Sequence, residues 1–171
     1  MHRERRAGNL RYVQFVLTQD GVGAVGLGMS REEARAVVSS WGKVEPFSRG
    51  TKLQPGELAD WFVLRDGMAV FVYCDTDGFV NAIEVSSPGH GVVASDQVSF
   101  DGVDLFVDPA DAVIDALRER GHIMEVGHRG YTSTAPEIYL TLWRDGDPIN
   151  EMTGLPMYFE SALIARPGYG V

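Results

Sequence analysis

The same pattern occurs twice in this chain, and that constrains the fold more than any other feature. The first copy runs Val25-Gly-Leu27-Gly-Met29-Ser30, then a helical pattern, then Gly42. The second runs Val103-Asp-Leu105-Phe-Val107-Asp108, a helical pattern, then Gly121. Each copy continues to an apolar run closed by one tripeptide, Arg65-Asp66-Gly67 or Arg144-Asp145-Gly146, and both the glycines and the tripeptides are offset by 79. A duplicated unit of one helix and several strands accounts for this pattern.

The local signals fill in each unit. Residues 10 to 18 are rich in aromatic and β-branched residues and predict a strand. Gly21, Gly23, Gly26 and Gly28 follow as a glycine-dense connection. Ser30-Arg-Glu-Glu33 is a capping box, because the Ser hydroxyl can accept from the Glu33 N–H while the Glu33 carboxylate reaches back. The helix predicted from about 31 to 41 places Ala34, Val37, Val38 and Trp41 on one face, with Gly42 as its stop. Residues 49 to 59 read as a polar loop. Runs at 61–64, 68–74 and 79–85, separated by Asp-Gly turns, predict an antiparallel meander.

Residues 86–91 read as the linker between the copies. In the second copy, Asp108-Pro109 reads as an N-cap followed by proline at the first helical position. Ala110, Val113, Ile114 and Leu117 form the apolar face of that helix. Strands are predicted at about 122–126, 137–143 and 157–166, with a loop at 127–136. The expected domain plan is a flexible basic tail (1–9), repeat 1 (10–86) and repeat 2 (92–171), the two repeats forming one compact unit. The expected class is α+β: one broad antiparallel sheet with two helices on one face, since a helix with one apolar stripe must cover a sheet.

Composition narrows the function classes. The formal charge is −9, and no Lys or Arg occurs between Asp66 and Leu117, a stretch that holds ten acidic residues. Such a segment repels phosphates and anionic membranes and attracts basic proteins. The expected partner is therefore a basic protein, with no nucleic acid and no membrane. No run of 18 apolar residues occurs. The single cysteine, Cys74, and the charged N-terminus favour a cytoplasmic location.

Chemical motifs give little. Gly21-x-Gly23-x-x-Gly26 matches the dinucleotide fingerprint literally, but the capping box starts the helix four residues too late for its third glycine. Asp75-Thr-Asp77-Gly78 lacks the Glu that a calcium loop needs at its twelfth position, which is Ser86. His2, His90, His122 and His128 show no metal-ligand spacing. Cys74 sits beside Asp75 and Asp77, whose charges raise a thiol pKa. Glu125, Glu137 and Glu151 have no spacing that demands an acid pair. No cofactor, no metal and no catalytic residue are expected.

The run from Leu27-Gly-Met29-Ser30 to Val38, then Gly42, resembles the helix start of β-lactamase inhibitor protein-like and outer-membrane-lipoprotein assembly-factor repeats. The chain also resembles actinobacterial immunity proteins of toxin systems in size, acidity and organisation. The likeness covers residues 20–85 in detail and 100–166 in outline, where Phe106-Val107 replaces the Gly-Met step. It implies helices packed on an antiparallel sheet and a protein that binds another protein.

The aromatics agree with that implication. In the strand 68–73, Met68, Val70 and Val72 can face the helices, leaving Ala69, Phe71 and Tyr73 on the other side. Aromatic anchors with a charged rim are the composition of binding hot spots. The expected partner-binding residues are Trp61, Phe71, Tyr73, Asp75, Asp77, Asp101, Asp104, Tyr139 and Trp143. The expected function is a non-enzymatic immunity or inhibitor protein. The alternatives are a small enzyme with its site in the cleft between repeats, and a homo-oligomer that buries its aromatic face.

Overall fold

A computed structural model describes residues 14–47, 60–65, 68–87, 97–127, 129–146 and 148–169. The predicted basic tail, the 49–59 loop, most of the linker, Asp66, Gly67, His2, His90 and His128 lie outside the described residues.

The class is α+β, with two sheets rather than one. Thirteen strands are described: β1 (Gln14–Thr18), β2 (Gly21–Val22), β3 (Val25–Gly26), β4 (Val44–Phe47), β5 (Asp60–Arg65), β6 (Met68–Cys74), β7 (Val80–Ser86), β8 (Gln97–Phe100), β9 (Val103–Asp104), β10 (Glu125–Val126), β11 (Thr132–Ala135), β12 (Leu140–Arg144) and β13 (Phe159–Ala165). Helix α1 (Arg31–Ser39) precedes β4, and α2 (Ala110–Glu119) precedes β10. Eight strands form an antiparallel sheet in the order β10-β11-β12-β13-β7-β6-β5-β4. Outward from its centre, each half of this sheet retraces the chain backwards. The smaller sheet, β3-β2-β1-β8-β9, is the departure from expectation. The strands that open each half do not join the meanders. Instead β1 and β8 lie side by side in parallel, Gln14 against Gln97 and Leu17 against Phe100.

One large core fills the space between the sheets. Phe15, Leu17, Val98 and Phe100 of the small sheet meet Ala34 and Val38 of α1 and Val113, Ile114 and Leu117 of α2. The inner face of the large sheet closes it with Val70, Val72, Ile83, Val85, Leu142 and Ile164. The glycine-dense connection is a hairpin. At Gly21 a Cβ would run into the Val25 carbonyl oxygen, so only glycine permits that crossing.

Both helices occupy the predicted positions, but their ends differ in detail. The capping box of α1 is present. Its start is also pinned to the β6–β7 turn, where Arg31 N–H donates to the Gly78 carbonyl at 2.8 Å. Ser40 is the C-cap. Gly42 acts by close approach, since a Cβ there would stand 2.7 Å from the Leu64 carbonyl oxygen. Helix α2 does end as a glycine stop should. Gly121 has φ 94°, its N–H donates to Arg118, and the His122 N–H donates to Leu117, the two bonds of a Schellman motif. Asp108 is not the N-cap of α2. Pro109 holds that place without a side-chain cap, and the Ala110 N–H donates instead to the Met157 carbonyl at 2.7 Å.

Two short strands of the large sheet lie where none was expected. Val44–Phe47 forms the edge strand β4 despite Pro46, which an edge tolerates. Thr132–Ala135 forms β11 inside the predicted loop 127–136. The next three residues, Pro136–Ile138, make a 3-10 turn ahead of β12.

Two expected outcomes follow from this packing. The Ser30 hydroxyl and then the Ser30 N–H, both donating to Glu33, hold its carboxyl below the ordinary 4.5. A carboxyl depressed in the folded state stabilises above its unfolded value, and that contribution is lost as pH falls through the folded value. The difference in urea midpoint between the native protein and Glu33→Ala should be full at pH 7 and shrink below pH 4.5. The second outcome tests strand parity. Ile83 is fully buried on the inner face, so Ile83→Ala should cost about 2–5 kcal/mol. Its neighbour Glu84 faces the other way, so Glu84→Gln should cost under about 1.5 kcal/mol in the same denaturation experiment.

Candidate functional site

The outer face of the eight-stranded sheet, turned away from both helices, carries the unusual chemistry. Alternation along β6 puts Met68, Val70 and Val72 inside and Ala69, Phe71 and Tyr73 outside. Cross-strand partners extend this outer row. Phe62 on β5 opposes Phe71, Phe71 opposes Glu84 on β7, Glu84 opposes Leu163 on β13, and Leu163 opposes Thr141 on β12. In the neighbouring row Tyr73 lies beside Ala82, and Ala82 beside Ala165.

A small apolar cluster forms there, separate from the main core. Tyr73, Ala82, Leu163 and Ala165 are its buried members, with Phe47, Phe71, Trp143 and Tyr169 half-buried around them. Neither helix contributes to it. Phe62 and Phe71 stack with ring centroids 5.4 Å apart, and Phe71 and Tyr73 lie nearly parallel at 6.4 Å. Phe47 meets Phe71 edge-on at 5.2 Å. Tyr169, from the segment after β13, lies 6.1 Å from Tyr73. Strand β1 lies in the other sheet and does not cover this face.

A carboxylate sits in the middle of these rings. Glu84 Oε2 accepts from the Tyr73 hydroxyl at 2.7 Å, and Oε1 accepts from the Ser161 hydroxyl. Both donors are neutral. Among the described residues, no cation forms an ion pair with Glu84. Beside it opens a cleft of about 460 Å³, lined by Glu84, Ser86, Trp143, Asp145, Glu160 and Ser161 among others. Arg144 also borders this cleft, but its guanidinium is 4% exposed and bonded to Asp111 of α2 at 2.5 Å. A second cleft of about 270 Å³ lies on the same face, between Tyr139, Leu163, Ala165 and Tyr169.

The residues expected from the sequence fall into three places. Phe71, Tyr73 and Trp143 share the outer face, and Tyr139 stands at its margin in a left-handed conformation (φ 51°) that ends the 3-10 turn. Asp75 and Asp77 lie in the β6–β7 turn. There Asp75 Oδ1 accepts from the Asp77 and Phe79 N–H groups, and Oδ2 stands 3.7 Å from Arg166.

The other three are corrections. Trp61 is 3% exposed on the inner face, with Arg31 over its ring at 5.8 Å, and not on the outer face with the other aromatics. Asp101 and Asp104 belong to the small sheet and do not rim the aromatic face. Asp101 stands 3.2 Å from His122, while Asp104 accepts from the Phe106 and Val107 N–H groups. Asp104 is occupied by its own turn, the commonest use of Asp there, and Asp101 by a side chain 21 residues away.

The sequence reading overlooked Phe47, Phe62, Glu84, Ser161 and Tyr169. Glu84 left one readable trace, as the charged residue at an outward position of an otherwise apolar strand. Its neighbour Ser161 is 77 positions away, and no local signal joins them. The Cys74 thiol is pushed up chiefly by burial; Arg31 opposes this, and Asp60 and Asp75 add to it. A thiol raised in this way is a poor nucleophile at neutral pH. Among the described residues, no group of His, Cys, Asp and Glu is arranged to hold a metal, and no helix is long and apolar enough to cross a membrane.

Compared with models of known protein families, with curated proteins and with solved structures, the chain matches none of them.

Proposed function

We propose that this chain is a non-enzymatic protein-binding module, an immunity or inhibitor protein that captures a basic partner on the outer face of its eight-stranded sheet. The observation that carries this reading is the separate aromatic cluster on that face, half-buried and beyond the reach of either helix. Large rings cost little side-chain entropy when a partner covers them, so they suit an anchor. The charge of −9 selects the partner's sign and speeds encounter. The same charge disfavours a homodimer that would bring two copies of Glu84 towards each other. Tandem organisation, with each half supplying one side of the sheet, fits the resemblance to β-lactamase inhibitor-like repeats and to immunity proteins. A cytoplasmic location accords with the single cysteine.

The test is a differential capture. The native chain, Phe71→Ser and Val107→Ser are used in parallel as bait in a lysate of the source organism. Val107 is 65% exposed in the loop before α2 and serves as the control. One basic protein, retained stoichiometrically by the native chain and by Val107→Ser and lost with Phe71→Ser, is the expected result. Retention by all three baits, or by none, counts against the outer face. With the partner purified, raising salt from about 50 to 500 mM should slow association by about tenfold or more. Tyr73→Ala should act mainly on the dissociation rate. Association that ignores salt would remove the electrostatic part of the reading.

A further inference from the structure

The protein-binding reading names a face; the carboxylate at its centre indicates what must enter first. We infer that Glu84 is the seat for an arginine side chain of the partner, with the guanidinium paired to the carboxylate and its flat side against Trp143. This rests on the proposed function and specifies its chemistry.

Four observations support it. First, Glu84 is a half-buried carboxylate within a ring of Phe71, Tyr73, Leu163 and Trp143, which places one acceptor of forked donors among flat apolar surfaces. Second, its two hydrogen bonds come from neutral hydroxyls, one on β6 and one on β13, and these fix the carboxylate without neutralising it. A carboxylate offers about four acceptor positions, so two remain for a forked donor. Third, the adjoining cleft of about 460 Å³ leaves room for a long side chain, and Trp143 forms part of its wall. Fourth, Asp145 borders the same cleft as Glu84, a second acidic side chain that favours a cation over an anion.

Arginine fits this set better than lysine. Its guanidinium is planar and weakly hydrated, meets a carboxylate with two parallel N–H bonds and stacks on an aromatic face. An ammonium is more strongly hydrated and gains less where water is partly excluded. The seat also excludes the main competitors. An acidic or phosphorylated segment would meet Glu84 and Asp145 directly. A second copy of this chain would bring another −9 of charge.

The experiment uses the full chain and three synthetic glycine-rich peptides that differ at one central residue: arginine, lysine or citrulline. Citrulline keeps the shape of arginine and removes its charge. The readout is the indole N–H resonance of Trp143, assigned with Trp143→Phe. The arginine peptide should move it saturably, the lysine peptide should bind several-fold more weakly, and the citrulline peptide should leave it in place. Glu84→Gln, shown to be folded by a cooperative urea transition, should weaken the arginine peptide by about tenfold or more. Equal shifts from arginine and citrulline, an arginine shift indifferent to Glu84→Gln, or no shift at millimolar peptide would each overturn the seat.

The captured partner then separates the two ideas. If Phe71→Ser releases it and Glu84→Gln does not, the face binds protein and the arginine seat is wrong. If the arginine peptide binds while Phe71→Ser leaves capture intact, the cleft accepts a free guanidinium compound, the partner docks elsewhere than on the outer face, and the seat for a partner's arginine falls.

Discussion

The pairing of β7 with β13 holds this structure together. Five residues on each strand meet in antiparallel register, from Ser86 against Ser161 to Ala82 against Ala165. The two end pairs of this seam, Ser86 with Ser161 and Ala82 with Ala165, are small on both sides. Once that seam forms, the inner rows of both halves become one surface. Ile83 and Ile164 are direct partners across it, and both are fully buried. A single core can then be shared by α1, α2 and the small sheet. The seam also creates the outer-face chemistry, because Glu84 comes from one strand and the Ser161 hydroxyl from the other.

A second tie fixes the far half. Arg144 leaves β12 towards the inside, lies over the Phe159 ring at 5.5 Å and bonds Asp111 near the start of α2. Asp111 is 63% exposed, while Arg144 is almost wholly buried. The pair is therefore asymmetric. Loss of the aspartate strands a buried cation, whereas loss of the arginine leaves an aspartate that water can solvate. The Arg-Asp-Gly tripeptide noticed as a repeated string thus has a structural use in the second half, where its arginine holds a helix to a strand.

Much of the fold was legible because local rules carried it. The capping box, the apolar faces of both helices and the alternation of β6 all depend on residues within a few positions of one another, and all hold in three dimensions. The features that were not legible depend on distant partners. Thr132–Ala135 has no apolar signature of a strand, yet it pairs with β12 and places Ser133 and Ala135 inside. Trp61 reads as a binding aromatic until β6 and α1 are seen to enclose it. Asp101 and Asp104 looked like part of one acidic rim, but the small sheet carries them elsewhere. Of the site, strand parity pointed to Phe71 and Tyr73, and Trp143 was expected only as an aromatic of the second half. The carboxylate between them required knowing that β7 has β13 on its other side.

The parallel contact between β1 and β8 bears on how the chain reaches this state. Gln14 and Gln97 are partners across it, and the large sheet likewise closes only when Ala82 finds Ala165. Neither seam can form from the first half alone. A chain emerging from a ribosome exposes one edge of β1 until β8 has been made, and one edge of β7 until β13, near the end of the second half, has been made. Contacts between residues so distant in sequence make for slow folding, because the intervening chain must lose its freedom before any contact repays it. During that interval β7 lacks its partner on one edge, and a nascent chain in that condition is a natural client for chaperones.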